Sequence, residues 1–372
     1  MHLHIVSFNV PYPADYGGVI DVFYRVKALK DLGVKIHLHC YTYGRQPAKE
    51  LSSLCEEVFY YKRATYPWKL LSKRPYITSS RCSQRLIDRL LQDDYPILLE
   101  GLHNAWVMEQ INDPNRVILL RAHNVEHDYY SRLAEVEPRF LKRQYLAMDA
   151  RKLRQYEPVM LKATAVLAVT KADADHFRKI GCKNVALVPS SFRQESGQPQ
   201  LGKGDYAIYH ANLSVPENIE AAHFLINEVF SKTSHRLILA GRNPDSSLIR
   251  SVERYSNITL IANPDDTRMN SLVANAQVNI LYTNQSTGLK LKLLNSLQTG
   301  RYCLVNEDMV AGTDLGEVCQ IANTPAEMLK ALDRLMQQEF NQTEIDARMQ
   351  MMQELYSNKV NAQRVVRLAG LQ

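Results

Sequence analysis

Near residue 290 two lysines fall where a helix begins. In Ser286-Thr287-Gly288-Leu289-Lys290-Leu291-Lys292-Leu293-Leu294-Asn295-Ser296-Leu297-Gln298-Thr299-Gly300, Leu289, Leu293, Leu294 and Leu297 recur at helical spacing and Gly300 ends the pattern. The amino end of a helix carries partial positive charge and unpaired N–H groups, so lysines there are a misfit that a bound anion would remove. Gly288, Lys290 and the loop before them read as a cradle for a phosphate or diphosphate. The competing reading is that both lysines point into water and Gly288 only shapes the turn.

Other stretches carry residue types suited to chemistry. Gly17-Gly18 follows the first strand pattern, where paired glycines let backbone approach a ligand closely, though a plain tight turn has the same spelling. No Gly-x-Gly-x-x-Gly occurs there, which argues against a dinucleotide redox enzyme. His123-Asn124-Val125-Glu126-His127 spells the His-x-x-Glu-His of inverted zinc peptidases. That chemistry needs both histidines on one face of a helix plus a third ligand. Here the motif abuts a strand and Asn124 reads as a helix cap, leaving His123 in the loop. Asp173-Ala174-Asp175 matches an Asp-x-Asp metal motif, but acids in a helix's first turn favour the dipole without any metal.

The elements that would position these residues alternate along the chain. His2–Asn9 and Val34–Cys40 read as strands flanking a helix with Val22, Val26 and Leu29 on one face, ended by Gly33. Ile97-Leu98-Leu99-Glu100 and Val117-Ile118-Leu119-Leu120 are short buried strands, Arg139–Lys162 is a long helical stretch, and Ala163–Val169 and Val185–Pro189 complete a first parallel sheet. Glu100, His103, His123 and Glu126 then gather at strand ends. The alternation restarts at Ala207–Asn212 and runs through a helix Ile219–Phe230, a strand ending in Gly241-Arg242-Asn243-Pro244, Ile258–Ile261, a helix near Met269–Asn275, Val278–Tyr282 and Tyr302–Asn306. The expected organisation is two doubly wound α/β halves, 1–190 and 205–356, joined by a polar linker at 191–204 and facing each other across a cleft. Residues 357–372 are expected to pack back on the first half.

The chain has 372 residues, is 45% apolar and 23% charged, and carries a net charge of +6, a composition that suits a globular protein with an anionic ligand and gives no footprint for nucleic acid. Six scattered cysteines without a Cys-x-x-Cys pair argue against a disulfide framework or a structural zinc knuckle. The segment Met1–Phe8 lacks the pattern of a signal peptide and no window reaches a membrane span, so a cytoplasmic location is expected. Tyr60–Tyr76 mixes aromatic rings with Lys62, Arg63, Lys69, Lys73 and Arg74 and has no acid, which suits either a solvated loop or peripheral contact with an anionic membrane.

Taken together, Pro-x-x-x-Gly-Gly at 13–18, His-Asn-Val-Glu at 123–126, the loop Asn212–Asn218, Gly241-Arg242-Asn243-Pro244 and the Gly-x-Lys-Leu-Lys-x-Leu helix resemble the nucleotide-sugar glycosyltransferases of the GT-B fold, specifically the retaining family four. The resemblance implies that Gly17, Gly18, Asn212, Arg242, Gly288, Lys290 and Asn295 contact the donor. His123 would face the transferred sugar, with Glu126 beside it in the catalytic set. It implies no cofactor and no catalytic metal, the nucleoside-diphosphate sugar being a substrate, and a glycan or lipid-linked acceptor in surface polysaccharide assembly. Two positions depart from the family pattern: Thr287 and Asn295 stand where its members carry a Glu-x7-Glu pair. A GT-B protein that binds a nucleotide sugar or glycan without transferring it is therefore the alternative.

Overall fold

The computed structural model describes residues 1–194, 199–286 and 288–371. Position 287 and part of the 191–204 stretch thus lie outside the described residues. Two compact units divide the chain, Met1–Arg193 with Leu355–Gln372, and Gln194–Glu354.

The first unit is built on seven parallel strands: β1 (His2–Ser7), β2 (Lys35–Thr42), β3 (Glu57–Lys62), β4 (Ile97–Glu100), β5 (Ile118–Ala122), β6 (Ala165–Ala168) and β7 (Val185–Leu187), in the order β3-β2-β1-β4-β5-β6-β7. Strands β4 and β5 are buried along their whole length, as a parallel sheet covered by helices on both faces requires. Alternate residues serve opposite cores: Ile97 and Leu99 join Ile118 and Leu120 on one face, while Leu98 joins Leu3, Ile5 and Leu119 on the other. The second face is roofed by Val19, Val22, Val26 and Leu29 of the Gly17–Asp31 helix and by Ala362 and Val365 of the Asn358–Leu368 helix. The chain end is thus part of the first unit. Chain order reverses between β1 and β4, which makes the carboxyl edge of that pair the switch point where open sheets take ligands.

The second unit repeats the plan with β8 (Ala207–Asn212), β9 (Leu237–Arg242), β10 (Ile258–Ala262), β11 (Val278–Leu281), β12 (Tyr302–Val305) and β13 (Gln320–Ile321), all parallel, in the order β10-β9-β8-β11-β12-β13. Its switch point lies between β8 and β11.

Several local expectations are corrected. Residues 60–62, read with the basic surface stretch, belong to edge strand β3. The Arg139–Lys162 stretch is an α-helix over Phe140–Tyr156 that tightens into a 3₁₀ turn at Glu157–Lys162, where Pro158 supplies no N–H to continue the α ladder. Asn124 does not cap the following helix, which starts at Glu126 with Val125 at its N-cap and no side-chain cap bond. The helix expected at Ile219–Phe230 starts earlier, at Pro216 whose fixed φ suits a first helical position, and widens into a π turn over Leu225–Val229. The stretch read as a linker is tied down on either side. Ser191 N–H donates to Asp21 Oδ1 at 2.6 Å, whereas Gly202 bridges to Phe340 and Gly204 N–H donates to Gln277 Oε1 at 2.8 Å.

Candidate active site

At the switch point of the first unit the sheet holds a buried ionic cluster. Glu100 ends β4, Arg121 lies in β5, His123 follows β5, and Asp21 and Arg25 sit one turn apart on the Gly17–Asp31 helix, with all but His123 wholly buried. Arg25 is paired with Asp21 and, through Nε, with Glu100 Oε1 at 3.1 Å; Arg121 Nη2 lies 3.0 Å from Asp21 Oδ2. Burial by itself would raise both carboxyls, but Arg121 and Arg25 outweigh it for Asp21, and Arg25 and His123 for Glu100, so both stay below their ordinary values. Two carboxylates against two guanidiniums leave the cluster neutral apart from the imidazole. His123 presents Nε2 to Glu100 Oε2 at 3.0 Å and Nδ1 to Asp21 Oδ2 at 3.4 Å, with 12% of its side chain exposed. Its ring is therefore fixed in orientation by two acids that are themselves fixed. The aromatic neighbour Phe8 stands edge-on to it at 5.5 Å between centroids. A Cβ at position 18 would meet Phe8 Cζ at 2.8 Å, so a larger residue there would have to displace the ring that stands edge-on to His123. Gly17 opens the same helix, whose N-cap Tyr16 makes no side-chain cap bond.

Glu126 stands apart from this cluster, at the first position of the Glu126–Val136 helix, 5% exposed. Burial, reinforced by Asp173, pushes its carboxyl up to about 7, with Arg81 pulling the other way. Arg81 is itself buried, donating to the carbonyls of Phe8 at 2.9 Å and Ile77 at 2.7 Å, and burial followed by repulsion from Arg63 lowers it to about 9. A carboxyl that changes charge near neutrality beside a buried guanidinium can hold or pass a proton at working pH. The two histidines of His-x-x-Glu-His diverge: His123 joins Asp21 and Glu100, while His127 turns to Glu157 and His176. The side chains at the two ends of the motif turn to different partners and do not converge on one point, so the peptidase reading fails on geometry. In Asp173-Ala174-Asp175, Asp173 accepts the Thr170 hydroxyl while the Thr170 side chain accepts the Asp173 N–H, a helix-capping arrangement.

In the second unit the switch point is lined by Asn212 at the end of β8, its strand neighbour Arg242 at the end of β9, and the start of the Leu291–Thr299 helix after β11. Gly288 has φ of 70°, a left-handed turn that favours glycine, and Lys290 Nζ reaches back to its carbonyl at 3.0 Å. Lys290 is the N-cap, so the helix begins two residues later than the leucine pattern suggests. Lys292, in the first turn, is the cation that points into the sheet edge. Its Nζ donates to Asn218 Oδ1 at 3.2 Å and lies 5.2 Å from the Tyr209 ring centre, while Asn218 Nδ2 donates to the Asn212 carbonyl at 3.0 Å. Burial pulls Lys292 down to about 8, Glu217 pulling up and Lys290 down. Among the described residues no carboxylate lies within ion-pairing distance of Lys292. Beneath it His210, pushed by burial to about 3, is a neutral ring bonded to Ser296 at 2.9 Å. Arg242 is exposed, 3.8 Å from Asp266, and Asn295 is half-buried one turn along the helix, where its carbonyl accepts the Thr299 hydroxyl at 2.9 Å.

Within the sequence-derived set, Gly18 lies with His123 in one unit and Asn212, Gly288 and Lys290 lie around Lys292 in the other, while Glu126 joins neither group. Sequence reasoning missed Asp21, Arg25 and Arg121. Their signal was present as charges inside otherwise apolar runs, Asp21 and Arg25 four apart on a buried helix face and Arg121 directly after Val117–Leu120.

Compared with known proteins, the chain matches no family model. It is 23% identical over 340 residues to an uncharacterized 44.6 kDa protein in the cps region of Klebsiella pneumoniae, covering 86% of this chain and 87% of that one. Sucrose-phosphate synthase from Thermosynechococcus elongatus shares its fold with a TM-score of 0.71 at 13% identity, over 99% of this chain and 98% of that one. The fold is GT-B. The same holds for Anabaena HepE in complex with UDP and glucose, with a TM-score of 0.67 at 10% identity over 100% and 99% of the two chains. A variant of S. aureus TarM in complex with Fondaparinux, alpha-GlcNAc-glycerol and UDP scores 0.66 at 10% identity over 99% of each chain. Among the described residues no helix of this GT-B protein is long and apolar enough to cross a membrane.

Proposed function

We propose that this GT-B protein is a glycosyltransferase of the retaining, family-four type, moving a sugar from a nucleoside-diphosphate donor to a glycan or lipid-linked acceptor in surface polysaccharide biosynthesis. The observation that carries the reading is Lys292, a partly buried ammonium at the second sheet's switch point with no carboxylate within ion-pairing distance among the described residues. As a glycosidic bond to a diphosphate breaks, charge gathers on the leaving group. Fixed cations and helix-end N–H groups aimed at it stabilise that charge without reorganising. Lys292, Lys290, Arg242 and the first turn of the Leu291–Thr299 helix are suited to this role, and they let the leaving group depart without a catalytic metal. UDP is the nucleotide to try first, since two GT-B neighbours are complexes with it. In the first unit, His123, clamped by Glu100 and Asp21, is suited to orient a sugar hydroxyl, and Glu126 to exchange a proton near neutrality.

Peripheral attachment to an anionic membrane is part of the proposal. Trp68 and Leu71 are 62% and 86% exposed within the basic 62–74 stretch, and Phe140 and Leu141 are 61% and 82% exposed beside Arg139, Lys142 and Arg143. Rings and aliphatic tips flanked by basic side chains suit a headgroup layer.

The test is a panel of nucleotide sugars followed for nucleoside-diphosphate release, together with calorimetric titration of the free nucleotides. Saturable UDP binding with turnover of one donor supports the proposal. Binding without turnover for any donor and acceptor would leave a sugar-nucleotide binder, and no nucleotide binding at all would overturn both. Co-sedimentation with phosphatidylglycerol vesicles, lost when residues 62–74 are stripped of their lysines and arginines, checks the membrane contact.

A further inference from the structure

We propose that His127, Glu157 and His176 form a site for a divalent metal ion of the zinc type, separate from the ionic cluster at the first switch point. The three residues come from three elements, the Glu126–Val136 helix, the Glu157–Lys162 turn and the Lys171–Lys179 helix. Both imidazoles aim Nε2 at the same carboxylate oxygen, Glu157 Oε2, His176 at 2.9 Å and His127 at 3.4 Å, and all three ligating atoms lie within 4.8 Å of one another. A tetrahedral zinc ion with bonds of about 2.0–2.1 Å sets its ligand atoms roughly 3.3 Å apart, so the two nitrogen–oxygen spacings need only small adjustment.

The other ring nitrogen of His127, Nδ1, lies 3.0 Å from Asp128 Oδ1 but makes no hydrogen bond to it. Metal-bound histidines usually direct that far nitrogen at a carboxylate, and Asp128 is within reach. Glu157 Oε1 is a buried oxygen with no hydrogen-bond partner among the described residues, an acceptor that a metal-bound carboxylate can bring to the ion. The His176 side chain is 28% exposed, which leaves a route for the ion and for a water in the fourth position. Two nitrogens and one carboxylate select zinc over magnesium or calcium, which prefer all-oxygen sets. The other convergent group, Asp21, Glu100 and His123, is unsuited to a cation because Arg25 and Arg121 already neutralise its carboxylates. A metal ion at His127 would pin the first turn of the helix that carries Glu126, tying it to the two elements packed beneath it.

The full-length protein, stripped with EDTA and dialysed, is titrated with Zn²⁺ alone against a chromogenic chelator, and its melting is followed with and without the ion. One equivalent of tightly held zinc and a raised Tm are expected. Affinity should fall tenfold or more in both His176→Ala and Glu157→Gln, the first at a part-exposed position that leaves the packing intact. Replacement by Co²⁺ should give the intense visible bands of a tetrahedral site without thiolate charge transfer, which separates this site from the six cysteines. No uptake by the unaltered protein, zinc affinity unchanged in both variants, or a thiolate–cobalt band would overturn the assignment.

Discussion

Lys292 gives the sharpest handle on the proposed donor site, because its charge state falls within reach of ordinary buffers. Held at about 8 against an ordinary 10.5, the ammonium is charged at pH 7 and mostly neutral at pH 9. A diphosphate bound against it favours the protonated form, so donor binding takes up a proton wherever the free protein has lost it. If the bound lysine stays charged through pH 9, the apparent Kd scales as one plus ten to the power (pH − 8). UDP affinity should then weaken by roughly tenfold from pH 7 to pH 9, about 1.4 kcal/mol. Lys292→Arg, always charged, serves as the control and should bind UDP with little pH dependence beyond that of the nucleotide itself. Lys292→Met should bind weakly at both values. Folding stability should move the opposite way. Between pH 8 and 10.5 the unfolded chain holds the proton that the folded chain has lost, so this group destabilises the fold below pH 8 and the penalty fades as pH rises. The full difference corresponds to roughly 3 kcal/mol, and partial exposure of the side chain reduces it to about 1–3 kcal/mol. Lys292→Met should therefore raise the Tm of the ligand-free protein at pH 7 while it loses the nucleotide. Isothermal titration calorimetry and scanning calorimetry read both. A UDP affinity in the unaltered protein that falls no more between pH 7 and 9 than that of Lys292→Arg would refute the argument, as would a Met variant that binds normally.

Arg121→Met leaves Asp21 short of a buried partner and should cost about 3–5 kcal/mol of unfolding free energy in urea titration, enough to threaten expression. Glu126 holds its proton up to about 7 in the folded protein but near 4.5 when unfolded, so stability falls as pH rises between those values. Glu126→Gln should melt about as the parent does at pH 4 and be about 1–3 kcal/mol more stable at pH 8, with the inflection near pH 7 gone from the turnover profile. His123→Ala should lower kcat on the order of a hundredfold while leaving UDP affinity within about twofold, since its partners all belong to the first unit. A rise in KM alone would place the imidazole in ground-state binding.

The alternation of apolar strands with amphipathic helices, the restart at Ala207 and the glycine-led helix at 288–300 are local properties, written in periods of two and 3.6 residues, and they determined the two doubly wound sheets without any long-range information. The same local signal marked the carboxyl-edge loops, because polar residues directly after a buried run have few other places to lie. What pairs with what was settled by folding alone. Asp21, Arg25, Glu100, Arg121 and His123 are drawn from three elements spread over a hundred positions, and only the reversal of strand order between β1 and β4 brings them into one buried cluster. Likewise Lys290 and Lys292 look equivalent in sequence, two residues apart on a helix start. Lys290 is the N-cap, with extended backbone, and folds back on its own loop, whereas Lys292 lies within the first helical turn and is turned toward Asn218 and Tyr209. Composition and spacing name the residues able to carry charge, but which of those charges is stripped of water, and so gains the power to bind or shift, is decided by the tertiary packing around it.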